Sequence, residues 1–146
     1  MTKLVIDASV AVKWVVDEEW SSESIALLGS DIKLSAPDHL IAEMANVVWK
    51  YQQRGWLTGD EALARARSVG KVPVRLEPSA GLVEGAIQIA CEWSIAAYDA
   101  LYVQLALSEG IQLVTVDDHL IRKLEQSSLR HAILHMKDLR LPGKWA

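Results

Sequence analysis

At 146 residues, with 51% hydrophobic and 23% charged side chains, the chain has a globular composition, which excludes a disordered or low-complexity protein. Its one cysteine, Cys91, excludes a disulfide framework and a Cys-rich zinc module, and its formal charge of −4 excludes a broadly basic nucleic-acid coat, though not a local basic rim. One domain over residues 1–146 is expected, in the cytoplasm, because no signal-like segment precedes Asp7 and no apolar run reaches the roughly 18 residues of a membrane span.

In chain order, Lys3–Asp7 opens with Leu4-Val5-Ile6, a short apolar run suited to a buried strand. A helix is expected from Ala8 to about Val16, closed by Asp17-Glu18-Glu19, and a second over Ser21–Leu28, ended by Gly29. Ile32–Ala36 reads as a strand stopped by Pro37. Pro37-Asp38-His39 begins a long helix to Arg54, with Gly55 just past its end. Thr58-Gly59-Asp60-Glu61 starts another, through about Ser68. Val72–Leu76 is a third strand. Pro78–Trp93 is helical, with Gly81 and Gly85 as soft spots, and Ala97–Ser108 is a strongly apolar helix ended by Gly110. Ile111–Thr115 is the best central strand, Asp117–Gln126 a helix, and Ala132–His135 a weak last strand.

Strands alternate with helices, and the strands are apolar runs rather than alternating ones. That pattern predicts an α/β fold, a three-layer α/β/α arrangement with a central, mainly parallel sheet and helices on both faces. Ligands of such sheets bind beyond the carboxyl ends of the strands. Asp7 ends the first strand, and Asp117, with Asp118 beside it, follows Leu113-Val114-Thr115. Glu43 lies in the first turns of the helix after strand two. Asp99 is the only formal charge between Ser94 and Ser108. Each acid also has an ordinary reading: Asp7, Asp99 and Asp117 or Asp118 as helix N-caps, and Glu43 as a solvated charge. Four carboxylates on separate elements would converge at one end of the sheet, where they repel unless a cation neutralises them. Hard oxygen ligands of this kind select Mg2+ or Mn2+ over zinc.

Four segments carry a resemblance. Leu4-Val-Ile-Asp7-Ala-Ser9, Pro37-Asp-His-Leu-Ile-Ala-Glu43-Met-Ala-Asn46, Tyr98-Asp99-Ala-Leu-Tyr102-Val-Gln-Leu-Ala106 and Leu113-Val-Thr115-Val-Asp117 resemble, in order, the four motifs of PIN-domain ribonucleases. The length resembles that of the VapC-type toxins of bacterial and archaeal toxin–antitoxin pairs. The Thr-x-Asp spacing of the family favours Asp117 over Asp118. The resemblance implies a Mg2+-dependent endoribonuclease, with Mn2+ as the alternative ion. Asp7, Asp99 and Asp117 would hold one or two metal ions, Glu43 would complete the catalytic acids and help orient the attacking water, and Ser9 and Thr115 would support them through hydroxyl hydrogen bonds. It also implies an RNA substrate, a small antitoxin with a DNA-binding N-terminal part, a homodimer and no membrane partner.

The remaining chemistry-bearing residues have plainer readings. Cys91 has no catalytic partner and is expected to be a small core residue. His39, His119, His131 and His135 lack a zinc-binding pattern and are expected to be structural or superficial. Trp14, Trp20, Trp49, Trp56, Trp93 and Trp145 could stack RNA bases, but core or interface packing is the expected role. Lys13, Lys50 and Arg54 read either as a phosphate-holding rim or as solvated surface. The rival functions are a phosphotransfer protein on a doubly wound sheet, which lacks a strand-end lysine here, and a non-catalytic binding module of the same fold.

Overall fold

A computed structural model describes residues 2–141. Trp145 lies outside the described residues. Five strands form one sheet in the order β3-β2-β1-β4-β5, every neighbouring pair parallel. They are β1 (Lys3–Ile6), β2 (Lys33–Pro37), β3 (Arg75–Glu77), β4 (Gln112–Thr115) and β5 (Ile133–His135). The helices are α1 (Ala8–Ala11), α2 (Ser21–Leu28), α3 (Leu40–Gln53), α4 (Gly59–Val69), α5 (Val83–Trp93), α6 (Ala97–Glu109) and α7 (Asp118–Leu124). This is the expected three-layer α/β/α arrangement.

The apolar runs form the middle of the sheet because both faces are covered. Val5, Ile6, Leu113 and Val114 are wholly buried. On one face α6 lies against β1, β2 and β4, with α5 packed on α6. At Gly85, one of the expected soft spots, a Cβ would stand 2.4 Å from the end of the Gln104 side chain, which would have to move aside for any larger residue. On the other face α1 touches β4 and packs on α2 and α3. Helix α3 buries Leu40, Met44 and Val48, an i, i+4, i+8 stripe, and stops where Gly55 takes a φ of +77°. Helix α4 opens with a capping box in which Thr58 and Glu61 satisfy each other's backbone N–H groups.

Several boundaries move; the expected Pro78–Trp93 helix begins as a 3-10 turn over Ser79–Gly81 and is α-helical only from Val83, and the expected Asp117–Gln126 helix ends at Leu124. The first helix is a single turn, Ala8–Ala11, continued by a 3-10 turn over Val12–Trp14 rather than by α-helix to Val16. Strand β2 includes Pro37, which pairs in register with Glu77 at the sheet's end. Strand β3 starts at Arg75 instead of Val72, because Pro73 has no N–H to donate and the Val74 N–H is spent on the Val72 carbonyl. The Ile111–Thr115 run is interior, as expected, but the middle strand is β1.

Candidate active site

The chain leaves β1, β2 and β4 at the same edge of the sheet: Asp7 follows β1 directly, Asp117 comes just after β4, and Glu43 sits in the first turn of α3, the helix after β2. Asp7 caps α1, where its Oδ1 accepts from the Val10 N–H at 3.3 Å. The same oxygen accepts from Ser9 Oγ at 2.5 Å, and Oδ2 accepts from Thr115 Oγ1 at 2.5 Å. Thr115 Oγ1 in turn accepts from the Asp117 N–H at 3.0 Å, and Ser9 Oγ from the Val116 N–H at 3.2 Å. Two hydroxyls thus stitch the end of β1 to the end of β4 around one carboxylate. Asp117 caps α7, its Oδ1 accepting from the N–H groups of His119 and Leu120 at 3.0 and 3.1 Å. For Asp7 and Asp117, capping and site placement coincide, since the strand-to-helix turn that needs a cap is also the edge where a ligand would bind.

Asp99 is not a cap. Ala96 holds that position, and Asp99 sits half-buried in the first turn of α6. Glu43 is not simply solvated either. Its Oε1 accepts from the Tyr102 hydroxyl at 2.6 Å and lies 3.1 Å from His39 Nε2. Asp7, Glu43, Asp99 and Asp117 line one open cavity of about 310 Å3, with Tyr102 and Glu18 on its wall. A larger cavity of about 470 Å3, lined by Lys3, Lys33 and Arg75 where β1 and β2 begin, contains none of them.

Crowding divides the acids electrostatically. Burial pushes the Asp7 carboxyl up to about 6, against the pull of Ser9, Thr115 and Val10, with the nearby Asp99 charge adding to the rise. Asp99 is also raised to about 6, by burial and then by the charges of Asp117 and Glu43. For Glu43, burial works upward but is outweighed by the hydrogen bonds from His39 and Tyr102, which hold it below the usual carboxylate range. The Tyr102 phenol is driven far up by burial and by Glu43, so it remains a donor. Among the described residues no three His, Cys, Asp or Glu side chains are drawn together at chelating spacing. The donor set is nevertheless all hard oxygen, and two of its members, Asp7 and Asp99, are pushed up chiefly by burial, with neighbouring carboxylates adding to the rise. That chemistry fits a divalent cation of the Mg2+ type.

Asp118 turns away from this cavity. It is exposed and faces His135 Nε2 at 3.5 Å in a separate hollow beside β5, so Asp117 alone of the pair lines the acidic cavity. Lys13 is neither a rim nor solvated: it is buried, its Nζ 2.7 Å from Glu18 Oε1, while Tyr51 donates to Glu18 Oε2. Arg54 lies over the Trp56 ring at 5.2 Å. Trp49 and Trp56 are exposed, whereas Trp14 is partly buried and donates to the Ser24 carbonyl. Cys91 is exposed on α5 rather than in the core, because α5 turns Ala86 and Ile89 inward. His39, read as structural, touches an acid of the cavity. The signals that could have found His39 and Tyr102 are spacings: His39 precedes Glu43 by four residues and Tyr102 follows Asp99 by three, each one helical turn away.

Fold and cavity together define a doubly covered parallel α/β protein with an acid-lined site beyond its strand ends. The family model described as the PIN domain matches residues 4–125, and the chain belongs to the PIN-domain family. It is 32% identical over 123 residues to Ribonuclease VapC3 of Pyrobaculum aerophilum, covering 83% of this chain and 94% of that protein. It is 29% identical over 124 residues to Ribonuclease VapC3 of Mycobacterium tuberculosis, covering 82% and 86%. In fold it is similar to a crystal structure of a Pyrobaculum aerophilum protein, with a TM-score of 0.66, 23% identity and coverage of 93% and 92% of the two chains. It is likewise similar to VapBC2 from Rickettsia felis bound to a DNA fragment from its promoter, with a TM-score of 0.63, 13% identity and coverage of 92% and 98%.

Proposed function

We propose that this chain is a Mg2+-dependent endoribonuclease acting as the toxin of a toxin–antitoxin pair. The observation that carries the reading is the gathering of Asp7, Glu43, Asp99 and Asp117 around one cavity, with Asp7 and Asp99 raised to about 6 chiefly by burial and further by neighbouring carboxylates. Membership of the PIN-domain family and similarity to proteins named ribonucleases support it. Asp7, Asp99 and Asp117 would hold the ion, with Mn2+ as a substitute. When bound, the ion supplies a water whose pKa falls from about 15.7 towards neutrality and offsets charge on the phosphate. Asp7 enters this role already oriented by Ser9, Thr115 and the Val10 N–H, and Oδ2 of its carboxylate has one lone pair left beyond these contacts. Glu43, held ionised by His39 and Tyr102, would orient the attacking water. No side-chain nucleophile is required, since water displaces the ester oxygen in line. Single-stranded RNA should be cut by the purified protein with Mg2+, spared under excess chelator, and cut again when Mg2+ is restored. Equal cleavage in chelator would sink the metal-dependent reading.

The partners follow from the same reading. A cavity of four acids attracts a cationic group, and an arginine of an antitoxin tail could occupy it through bidentate bonds. Trp49 and Trp56, exposed near the end of α3, offer apolar area for a second copy of this chain. Co-expressed with a cognate antitoxin, the chain should purify as an RNase-inactive complex whose mass by light scattering corresponds to two copies of this chain with antitoxin. A complex that still cuts RNA, or one built on a single copy, would count against these assignments. Among the described residues no helix is long and apolar enough to cross a membrane.

A further inference from the structure

Glu43 and Asp99 stand on different helices, and one side chain touches both helices. His39, just ahead of α3, places Nε2 at 3.1 Å from Glu43 Oε1 and at 3.0 Å from the carbonyl oxygen of Tyr98, the residue before Asp99. Both neighbours are acceptors, so Nε2 must carry the hydrogen. Nδ1 is buried and has no hydrogen-bond partner among the described residues, so a proton placed there would be an unpaired buried donor. The tautomer is thereby set to Nε2–H. The ring is gripped between Tyr98, stacked at 6.0 Å, and Tyr102, at 4.6 Å. Tyr102 donates to the same Glu43 Oε1 that His39 approaches, which leaves Oε2 with no protein partner among the described residues.

We propose that His39 is a positioning residue that, as the Nε2–H tautomer, clamps Glu43 Oε1 together with Tyr102 and ties the start of α3 to the turn of α6 carrying Asp99, so that Glu43 Oε2 is free to face the cavity. The inference rests on the ribonuclease reading for its effect on rate, but not for its geometry. The carbonyl of Tyr98 has a second lone pair for this bond beside its helical one. Losing such a supporting partner typically costs about 10- to 100-fold in activity.

Two sets of measurements test it. In the first, His39→Phe keeps the stacked ring and removes the donor, and should lower kcat about 10- to 100-fold with KM for RNA little changed. His39→Gln puts an N–H where Nε2 lies and should recover much of the loss. His39→Asn puts its nitrogen at the Nδ1 position and should not. Wild-type kcat in His39→Phe, or equal rescue by Asn and Gln, would overturn the proposal while leaving the nuclease reading intact. In the second, long-range 1H–15N spectra of the metal-free protein at mildly alkaline pH should show His39 as the Nε2–H tautomer, with its Nε2–H resonance displaced in Tyr102→Phe. An Nδ1–H tautomer would overturn the clamp whether or not the protein cuts RNA. A wild-type protein with no nuclease activity would sink the proposed function, and the spectra would then decide the clamp by themselves.

Discussion

Asp99→Asn protein should cleave RNA at least about 100-fold more slowly than the wild type, the scale of losing a key electrostatic contact at a reacting centre. The substitution keeps the shape and removes one negative charge from the half-buried first turn of α6. It removes a proposed metal ligand, so Mg2+ binding measured by calorimetry should weaken with the rate. Folding should be spared, since Asp99 makes no capping bond and its charge opposes those of Asp117 and Glu43. Circular dichroism and the unfolding midpoint without metal should therefore match or exceed the wild type. Near-full activity in well-folded Asp99→Asn protein would remove Asp99 from the mechanism. A wild type that binds Mg2+ but cuts no RNA would favour a non-catalytic module of the same fold.

The metal-free protein should lose stability as pH rises from about 4 to about 7, and Mg2+ should abolish that loss. Asp7 and Asp99 both titrate near 6 in the folded chain, against an ordinary 3.8. The folded state therefore binds these protons more tightly than the unfolded one, so both carboxyls favour folding below 3.8 and cease to do so as pH passes 6. Asp7, which is buried, contributes up to about 3 kcal/mol at roughly 1.4 kcal/mol per pH unit. Asp99, partly open to solvent, adds less. Glu43 has the opposite sign: its depressed value stabilises the fold above about 4.5 and is lost only on further acidification. Between pH 5 and 7 the two aspartates decide the slope. Urea midpoints in chelator should fall across that interval and flatten when Mg2+ is added, because a bound cation favours the ionised carboxylates in the folded state. A metal-free midpoint that rises with pH would show that the acids are not crowded as described.

How much of this was legible beforehand depended on the range of the interaction. Helix α2 runs over Ser21–Leu28 as expected, and α6 begins at Ala97 as expected, because chain-local cues of periodicity and terminal residues suffice for them. Asp7 and Asp117 could be singled out because a parallel sheet places its ligands after its strands, whichever residues pack elsewhere. Pro73 shows the limit of pattern reading even locally: the apolar Val72–Leu76 run looks like a strand, but one missing N–H delays pairing to Arg75.

By itself, then, the order of residues determined the alternation of elements, the parallel α/β class and which acids end strands, since each of these is decided within a few positions by propensity, periodicity and capping. Tertiary structure alone decided what those acids touch. Thr115 reaches Asp7 across 108 positions and Tyr102 reaches Glu43 across 59. It also decided that Asp117 faces the cavity while Asp118 turns to His135, that Lys13 is buried against Glu18, and that Cys91 is exposed. The physical reason is that a side chain's direction depends on how its helix is rotated against the sheet. That rotation is set by the packing of the whole core, of which a local pattern contains only one face.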